Sequence, residues 1–402
     1  MELESILTQF TPLVPAEEIR GRVKAFQKRL QGVGLDGALL FHPADVFYLS
    51  GTKQDALLFL PSEGEGLLLV SRYHRRAAVE SPIPVVHLKS TKALPQFLAE
   101  VGAGKRLGTE LDLITLTTFN RWKKLLPGVE FEDVSPLIRE QKAVKSQWEI
   151  ETQRKAAGIL EIGYNTMLEL MREGISEIEL ASLVCATMRR EGHEGGEPMR
   201  NGRMEGFIGH VLSGWSAAVP SYVNAPINGM GMSPSMPHGP SRKKIQRGDT
   251  IIFDYFGTYL GYLTDMTRTA ALGEPSQRLK DAYKVLLEMH AYLREAMREG
   301  NDGAEVYEEV VKIARNSPYG DNFMGYDDVG VKFIGHGVGT EIDEYPFIAK
   351  GLTMPLKAGM VVAVEPKFLF PDEGAVGVEN TYLIGKDGAE ALTTAPMELK
   401  VV

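Results

Sequence analysis

Acidic side chains interrupt two strand-like stretches in the second half of the chain, where apolar residues are expected. Asp254 lies in one apolar run and Asp265 in the next run along the chain. A hairpin turn centred between Tyr259 and Leu260 would place the two aspartates directly opposite each other, on one face of the hairpin. Like charges opposed in this way destabilise a hairpin unless a cation or a proton lies between them.

The same pattern recurs near the C-terminus. A turn centred on Asp372 would place Glu365 opposite Glu379, again on one face. Between the two hairpins, His336 lies in a cluster of glycines, where backbone segments can approach closely. Taken singly, each of these residues could be a solvated strand or loop residue. Together they favour a site for two divalent ions such as Mn, Co, Fe or Zn, with a hydroxide held between them as nucleophile.

These residues resemble the ligand set of the pita-bread metallopeptidases, the family of methionine aminopeptidase, aminopeptidase P, prolidase and the metal-free creatinases. The family's ligand order is Asp, Asp, His, Glu, Glu, and the matching residues of this chain are Asp254, Asp265, His336, Glu365 and Glu379. The resemblance implies that Asp254 binds one metal, that His336 and Glu365 bind the other, and that Asp265 and Glu379 bridge them. It also implies that Glu365 moves the proton between the attacking water and the leaving nitrogen.

The first part of the chain alternates between helical and strand-like patterns, which predicts an α/β layer. A polar stretch at 138–144 marks a boundary, and Ser146 and Glu149 then form a capping box that opens a long helix. We therefore expect two domains. Residues 1–142 resemble the small N-terminal α/β domain of creatinases and prolidases, and residues 143–402 resemble the α+β pita-bread catalytic domain.

A region rich in Gly, Pro, Ser and Asn extends over 199–248, and such long irregular stretches inside a domain are usually functional or disordered. It contains His238, which matches a family histidine that contacts the substrate and stabilises the transition state. His210 is a weaker candidate for the lining of the same pocket. Two positions depart from the prolidase pattern, since Asp343 replaces a second histidine and Gly377 replaces an arginine. Both changes remove positive charge or donors from the substrate region, and we expect Asp343 to disfavour free dipeptides.

Composition excludes several other classes of protein. The chain has 44 Lys and Arg against 53 Asp and Glu, and its net charge of −9 argues against a nucleic-acid binder. A single cysteine excludes an intramolecular disulfide framework and any CxxC site. The N-terminus has no basic and apolar leader pattern, and no apolar run approaches the length of a membrane span. We expect a cytoplasmic protein without membrane or nucleic-acid partners.

The resemblance implies metal-dependent hydrolysis of an N-terminal Xaa-Pro-type peptide bond by a homodimer. His238 would stabilise the oxyanion and Glu365 would transfer the proton. Two alternatives remain open. One is hydrolysis of another small C–N substrate on the same fold, and the other is a non-catalytic binding protein that has kept the fold.

Overall fold

A computed structural model describes residues 3–196, 199–200 and 208–402 of the chain. The chain divides into two compact units, Met1–Lys142 and Ala143–Val402. No helix among the described residues is long and apolar enough to cross a membrane.

The first unit is a mixed α/β layer. Its helices are α1 Leu3–Phe10, α2 Ala16–Gly32, α3 Pro43–Ser50, α4 His74–Glu80, α5 Leu94–Glu100, α6 Leu116–Leu125 and α7 Ser135–Ala143, which ends one residue into the second unit. Its strands are β1 Gly37–Leu40, β2 Ala56–Pro61, β3 Leu67–Val70, β4 Val85–His87, β5 Arg106–Thr109 and β6 Glu130–Asp133. They form one six-stranded sheet in the order β4-β3-β2-β1-β5-β6. The predicted helix and strand at 19–41 both form, and Ile19, Phe26 and Leu30 are fully buried on the inner face of α2.

The second unit has four long helices and eleven strands among its described residues. The helices are α8 Gln147–Leu170, α9 Glu177–Arg190, α10 Gln277–Ala296 and α11 Gly303–Asn316. The strands are β7 Gly209–Ser213, β8 Thr250–Tyr259, β9 Tyr262–Ala271, β10 Phe333–Gly337, β11 Glu344–Ala349, β12 Val361–Val364, β13 Lys367–Phe370, β14 Gly374–Gly377, β15 Asn380–Ile384, β16 Ala389–Ala391 and β17 Lys400–Val401. The predicted capping box is confirmed, because Ser146 and Glu149 exchange both hydrogen bonds at the start of α8.

Two sheets and a separate hairpin carry the chemistry-bearing residues. One sheet has the strand order β17-β9-β8-β7, the other has β11-β10-β12-β15-β16, and β13 pairs with β14 alone. Helices α8 and α9 pack on the first sheet through a core that includes Leu160, Val184 and Phe253. Helices α10 and α11 pack over the C-terminal strands through a core that includes Leu286 and Val310. Phe253 faces these helices, so Asp254, the next residue of β8, faces the opposite side of the sheet.

The predicted register of the β8–β9 hairpin is wrong by one step. Asp254 pairs with Thr267, and Asp265 pairs with Phe256. The turn consists of Leu260 and Gly261, which both have positive φ values, 49° and 74°. A two-residue hairpin turn of this type matches the twist of the strands and favours glycine, so the centre lies one residue further along than expected. The two aspartates are diagonal neighbours on the same face rather than direct partners.

The register of the C-terminal hairpin agrees with the prediction, but its two strands are broken. Val364 pairs with Asn380 in the five-stranded sheet, and Lys367 pairs with Gly377 in the separate hairpin. The same register on both sides of the break sets Glu365 opposite Glu379. Both glutamates therefore lie where the chain leaves one ladder and enters the next, beside a proline that has no N–H to donate.

The region at 199–248 is only partly irregular. Its described part contains β7 and a short 3₁₀ helix, Gly214–Ala218, and residues 201–207 lie outside the described residues. Strand β7 pairs with β8 in a register that places His210 opposite Asp254. A segment expected to be loop thus adds an edge strand to the sheet that carries the aspartates.

Candidate metal centre and active site

Three of the predicted ligands converge on one place. Asp265 of β9, His336 of β10 and Glu379 each offer an atom, and these atoms lie within 4.8 Å of one another. Two atoms bound to one divalent ion at about 2.0–2.2 Å lie at most ~4.4 Å apart, so a small inward adjustment of the side chains would let the three atoms share an ion. The sheets thus assemble a three-residue cation site from strands that are far apart in sequence.

The orientation of His336 suits a metal ligand. Its Nδ1 lies 3.3 Å from the carbonyl oxygen of Gly337, and since a carbonyl only accepts, Nδ1 carries the proton. The lone pair is then on Nε2, which lies 3.7 Å from Oε1 of Glu365. The flanking glycines have a packing reason. A Cβ on Gly335 would lie 2.4 Å from the Ala363 carbonyl oxygen, so the neighbouring strand requires glycine there.

Glu379 contributes a buried carboxylate oxygen without a hydrogen-bond partner among the described residues. The residue is 1% exposed, and Oε1 is the unpartnered atom, whereas Oε2 accepts a hydrogen bond of 2.7 Å from Thr267. A buried oxygen without a donor is costly unless a cation approaches it. This atom is the observation that best supports a bound ion at the three-residue site.

Mutual repulsion of the carboxylates also supports a bound cation at this site. Burial and the charges of Glu379 and Asp254 raise the pKa of Asp265 well above its usual range. Burial, together with the charges of Glu365 and Asp254, also raises the pKa of Glu379, to about 8. Because their pKa values are raised, these carboxyl groups retain protons in the metal-free protein. A divalent ion would supply the positive charge in place of those protons.

A lysine that the sequence reasoning did not consider lies at the centre of the remaining acids. The ammonium Nζ of Lys367 is 2.5 Å from Glu365 Oε2, 3.2 Å from Asp254 Oδ2 and 3.7 Å from Glu379 Oε2. The side chain of Lys367 is fully buried, with 1% of the residue exposed. The sequence does contain an indication of this lysine. Lys367 follows Glu365 by two residues in an otherwise apolar stretch, and in an extended chain that spacing puts both side chains on one side.

Electrostatics ties this lysine to the acids around it. Burial alone would lower the pKa of Lys367, but Asp254, Glu365 and Glu379 outweigh burial and raise that pKa well above its usual range. Burial would likewise raise the pKa of Asp254, but Lys367 and His210 hold it below its usual range. A second divalent ion placed ~3.5 Å from Nζ, within reach of Asp254, would be repelled by the ammonium charge. The pairwise Coulomb energy is about 9 kcal/mol at an effective dielectric constant of ~20.

Gly377 makes the buried lysine possible. It is the register partner of Lys367, and a Cβ placed on it would lie 2.8 Å from Lys367 Cγ and 3.3 Å from Thr267 Cγ2. We interpreted Gly377 from the sequence as the loss of an arginine and its positive charge. The structure shows that a positive charge is present on the opposite strand and that the glycine provides space for its stem.

The five predicted ligands therefore separate into two groups. Asp265, His336 and Glu379 fit one divalent ion, with Glu365 beside them. Asp254 faces Lys367 instead, 3.2 Å from its ammonium group, and also has His210 Nε2 at 3.5 Å. The residues present fit one metal ion well, whereas an ammonium group lies where a second ion would need Asp254.

Arg268 and His290 fix the backbone that carries Glu379. The buried guanidinium of Arg268 donates to the carbonyl oxygens of Glu379, at 2.6 Å, and Ala395, at 2.7 Å. His290 of α10 is fully buried; its Nε2 donates to the carbonyl oxygen of Val378, at 2.9 Å, while Nδ1 lies 3.0 Å from the Tyr382 hydroxyl. Burial lowers the pKa of His290 to about 4. This histidine is therefore neutral at pH 7.

A cavity of about 430 Å³ opens onto these groups. His238 lines it together with His210, and the ring of Tyr222 packs edge-on against His238 at 5.5 Å. Burial, with a smaller contribution from His210, lowers the pKa of His238, so this imidazole is neutral at pH 7. The expectation that His210 lines the pocket is confirmed. The apolar part of the lining includes Val223, Ile227, Phe333, Ile342 and Phe347.

Asp343, in the loop between β10 and β11, also lines the cavity. Its Oδ1 lies 3.4 Å from the backbone nitrogen of Arg200, and the guanidinium of Arg200 lies 3.6 Å from Glu341 Oε2. Arg200 therefore contacts Asp343 through its backbone, while its guanidinium lies beside Glu341.

Comparison with models of known families identifies the family to which the chain belongs. The model of metallopeptidase family M24 matches residues 151–386, and the model of the creatinase/prolidase N-terminal domain matches residues 22–144. The chain belongs to metallopeptidase family M24. The resemblance to pita-bread metallopeptidases is thereby confirmed.

Several named proteins match nearly the full chain. The Xaa-Pro dipeptidase of Pyrococcus furiosus is 28% identical over 95% of this chain and 100% of its own length. The crystal structure of the X-Pro aminopeptidase from Thermotoga maritima is 26% identical, with a TM-score of 0.80 over 94% of this chain and 99% of that one. The crystal structure of the prolidase from Pyrococcus horikoshii is 28% identical, with the same TM-score and coverage. The predicted fold class, a creatinase/prolidase-type α/β domain followed by a pita-bread domain, is confirmed.

Proposed function

We propose that this M24 protein hydrolyses the N-terminal Xaa-Pro-type peptide bond in a metal-dependent reaction. The convergence of Asp265, His336 and Glu379 in the wall of a peptide-sized cavity carries the proposal. The names of the relatives support the substrate class. A divalent ion at that site would supply an activated water and would polarise the scissile carbonyl.

Glu365 is suited to move the proton. Its Oε2 is bound to the Lys367 ammonium, so Oε1 is the oxygen that faces the ion site, 3.7 Å from His336 Nε2. A carboxylate with one oxygen anchored and the other directed at the reacting atoms can take a proton from water and pass it to the leaving nitrogen.

His238 is suited to stabilise the oxyanion. Because its imidazole is neutral at pH 7, it can act as an N–H donor to the developing negative charge on the scissile carbonyl oxygen. Its position in the cavity wall is set by backbone contacts around it, since the N–H of Gly239 donates 2.7 Å to the carbonyl oxygen of Asn228.

Part of the cavity lining combines apolar side chains with Asp343. Phe333, Ile342 and Phe347 form an apolar wall of the kind that accepts a pyrrolidine ring. We place the C-terminal side of the substrate near Asp343, where an anion disfavours a free dipeptide carboxylate. Longer or C-terminally amidated Xaa-Pro substrates should therefore be cleaved better than free dipeptides.

The proposal is tested with purified protein reconstituted with Mn²⁺ and a panel of Xaa-Pro and Xaa-Ala di- and tripeptides. We expect Xaa-Pro hydrolysis that is lost on chelation, together with a lower melting temperature of the chelated protein. Asp265→Ala and Glu379→Ala should be inactive, and Asp387→Ala, at an exposed acid, should retain activity. A folded, metal-loaded protein that cleaves none of these peptides would contradict the proposal and favour another small C–N substrate or a binding role.

The homodimer and the cytoplasmic location implied by the resemblance stay predictions. Sedimentation equilibrium at micromolar concentration tests the first of them directly. A monomer under those conditions would contradict the predicted assembly.

A further inference from the structure

Lys367 occupies the position from which a second metal ion would have to bind Asp254. Its Nζ lies within 3.7 Å of Asp254, Glu365 and Glu379, and it is closest to Glu365. We propose that the site takes a single divalent ion, at Asp265, His336 and Glu379, and that the Lys367 ammonium serves as a built-in second cation. This inference deepens the proposed metal-dependent hydrolysis and rests on it, and it replaces the expectation of two ions.

The position of the ammonium follows from the backbone. Lys367 begins β13 and is paired with Gly377, whose missing side chain leaves room for the lysine stem. Glu365 lies two residues earlier, so the two side chains project to the same side. With 1% of the residue exposed, the ammonium replaces its hydration by contacts with three carboxylates. A second ion would have to displace this group from all three of them.

The two cations differ in what they can contribute. An ammonium group has three N–H donors and no vacant orbital, so it can hold carboxylates in place but cannot activate a bound water. Lys367 directs Glu365 Oε2 away from the ion site and leaves Oε1 for proton transfer. The ion at the three-residue site alone would then supply Lewis acidity. Removal of one ion per chain should therefore abolish metal-dependent chemistry completely.

The decisive measurement is the number of ions bound per chain. The full-length protein is stripped with a chelator, titrated with Mn²⁺ by calorimetry, and analysed for metal content after desalting. We expect one ion per chain in the wild type and two in Lys367→Ala, because the variant frees Asp254 and Glu365 Oε2 as ligands. Lys145→Met is the matched control. It removes another buried ammonium, which lies 2.9 Å from Glu344 and outside the ion site, and it should bind one ion.

A spectroscopic readout keeps the inference testable if Lys367→Ala does not fold. A single Mn²⁺ gives the six-line spectrum of an isolated ion in electron paramagnetic resonance, whereas two neighbouring ions give a coupled spectrum. We expect the isolated spectrum from the wild type at saturating Mn²⁺. A coupled spectrum or two ions in the wild type overturns the inference, as does a folded Lys367→Ala that binds only one ion.

The failure of the inference is distinguishable from the failure of the proposed function. Two ions with Xaa-Pro hydrolysis would overturn the inference and leave the function intact. One ion without hydrolysis of any peptide would leave the inference intact and contradict the function. No bound ion in the wild type at millimolar Mn²⁺ would overturn both.

Discussion

Acid should destabilise the catalytic unit through His290, a histidine that takes no part in the proposed chemistry. His290 is fully buried on α10, with a carbonyl oxygen at Nε2 and the Tyr382 hydroxyl at Nδ1. Its neutral form satisfies both contacts, since Nε2 donates and Nδ1 accepts. A second proton would turn Nδ1 into a donor facing a hydroxyl and would place a charge in the core.

The size of this acid destabilisation follows from the lowered pKa of His290. Burial lowers the pKa of His290 from 6.5 to about 4 in the folded protein. Because the folded pKa is the lower one, the stabilising contribution is complete above pH 6.5 and is lost as the pH falls towards 4. A difference of roughly 2.5 pKa units, at 1.36 kcal/mol each, makes the loss about 3 kcal/mol in the free energy of unfolding.

The assay compares urea unfolding of the metal-free wild type and His290→Gln at several pH values between 7 and 4. Glutamine can keep a donor and an acceptor at this position but does not titrate, so the difference between the two proteins isolates His290. The difference should change by about 3 kcal/mol in favour of the variant as the pH falls. Asn165→Ala, at an exposed residue of α8 that does not titrate, should show no such change. Parallel pH dependences, or an NMR titration with His290 protonating near 6.5, would refute the reasoning.

Three further substitutions test other contacts. Arg268→Met leaves several buried carbonyl oxygens without donors, so it should lower the free energy of unfolding by about 3 kcal/mol or more. It should also weaken Mn²⁺ binding in a calorimetric titration, and an unchanged Mn²⁺ affinity would contradict the positioning of Glu379 by Arg268. Asp343→Asn should raise kcat/KM for a free Xaa-Pro dipeptide relative to its amide by roughly tenfold, or about 1.4 kcal/mol, and an unchanged ratio would rule out the repulsion. Glu177→Ala removes the carboxylate that accepts hydrogen bonds from Ser213, Ser216 and Ser241, and a loss of about 3 kcal/mol in urea unfolding is expected; a loss below 1 kcal/mol would show that these bonds contribute little.

The sequence predicted the ligand strands better than it predicted their register. The C-terminal pairing could be derived because Glu365 and Glu379 lie symmetrically about the turn at Asp372. The register of Asp254 and Asp265 could not, because it depends on Leu260 and Gly261 both adopting positive φ, which shifts the turn by one residue.

The breaks in the C-terminal strands and the buried lysine required the three-dimensional structure. A lysine in a strand is usually interpreted as solvent-facing, and only the burial of Lys367 and its contact with Asp254 of β8 reveal that it points inwards. The meaning of Gly377 depends in turn on that lysine. Gly377 stands where the family has an arginine, and we interpreted it as the loss of a donor. The sequence does not show that Lys367 lies opposite it on the paired strand.

The pairing of Lys367 with Gly377 also constrains the order in which the two positions can change during evolution. While the lysine is present, a side chain at 377 collides with its stem, since even a Cβ lies 2.8 Å from Lys367 Cγ. Once the lysine is lost, that conflict disappears and position 377 can accept other residues. The two substitutions should therefore be strongly non-additive, and a lineage leaving this arrangement would pass through position 367 first.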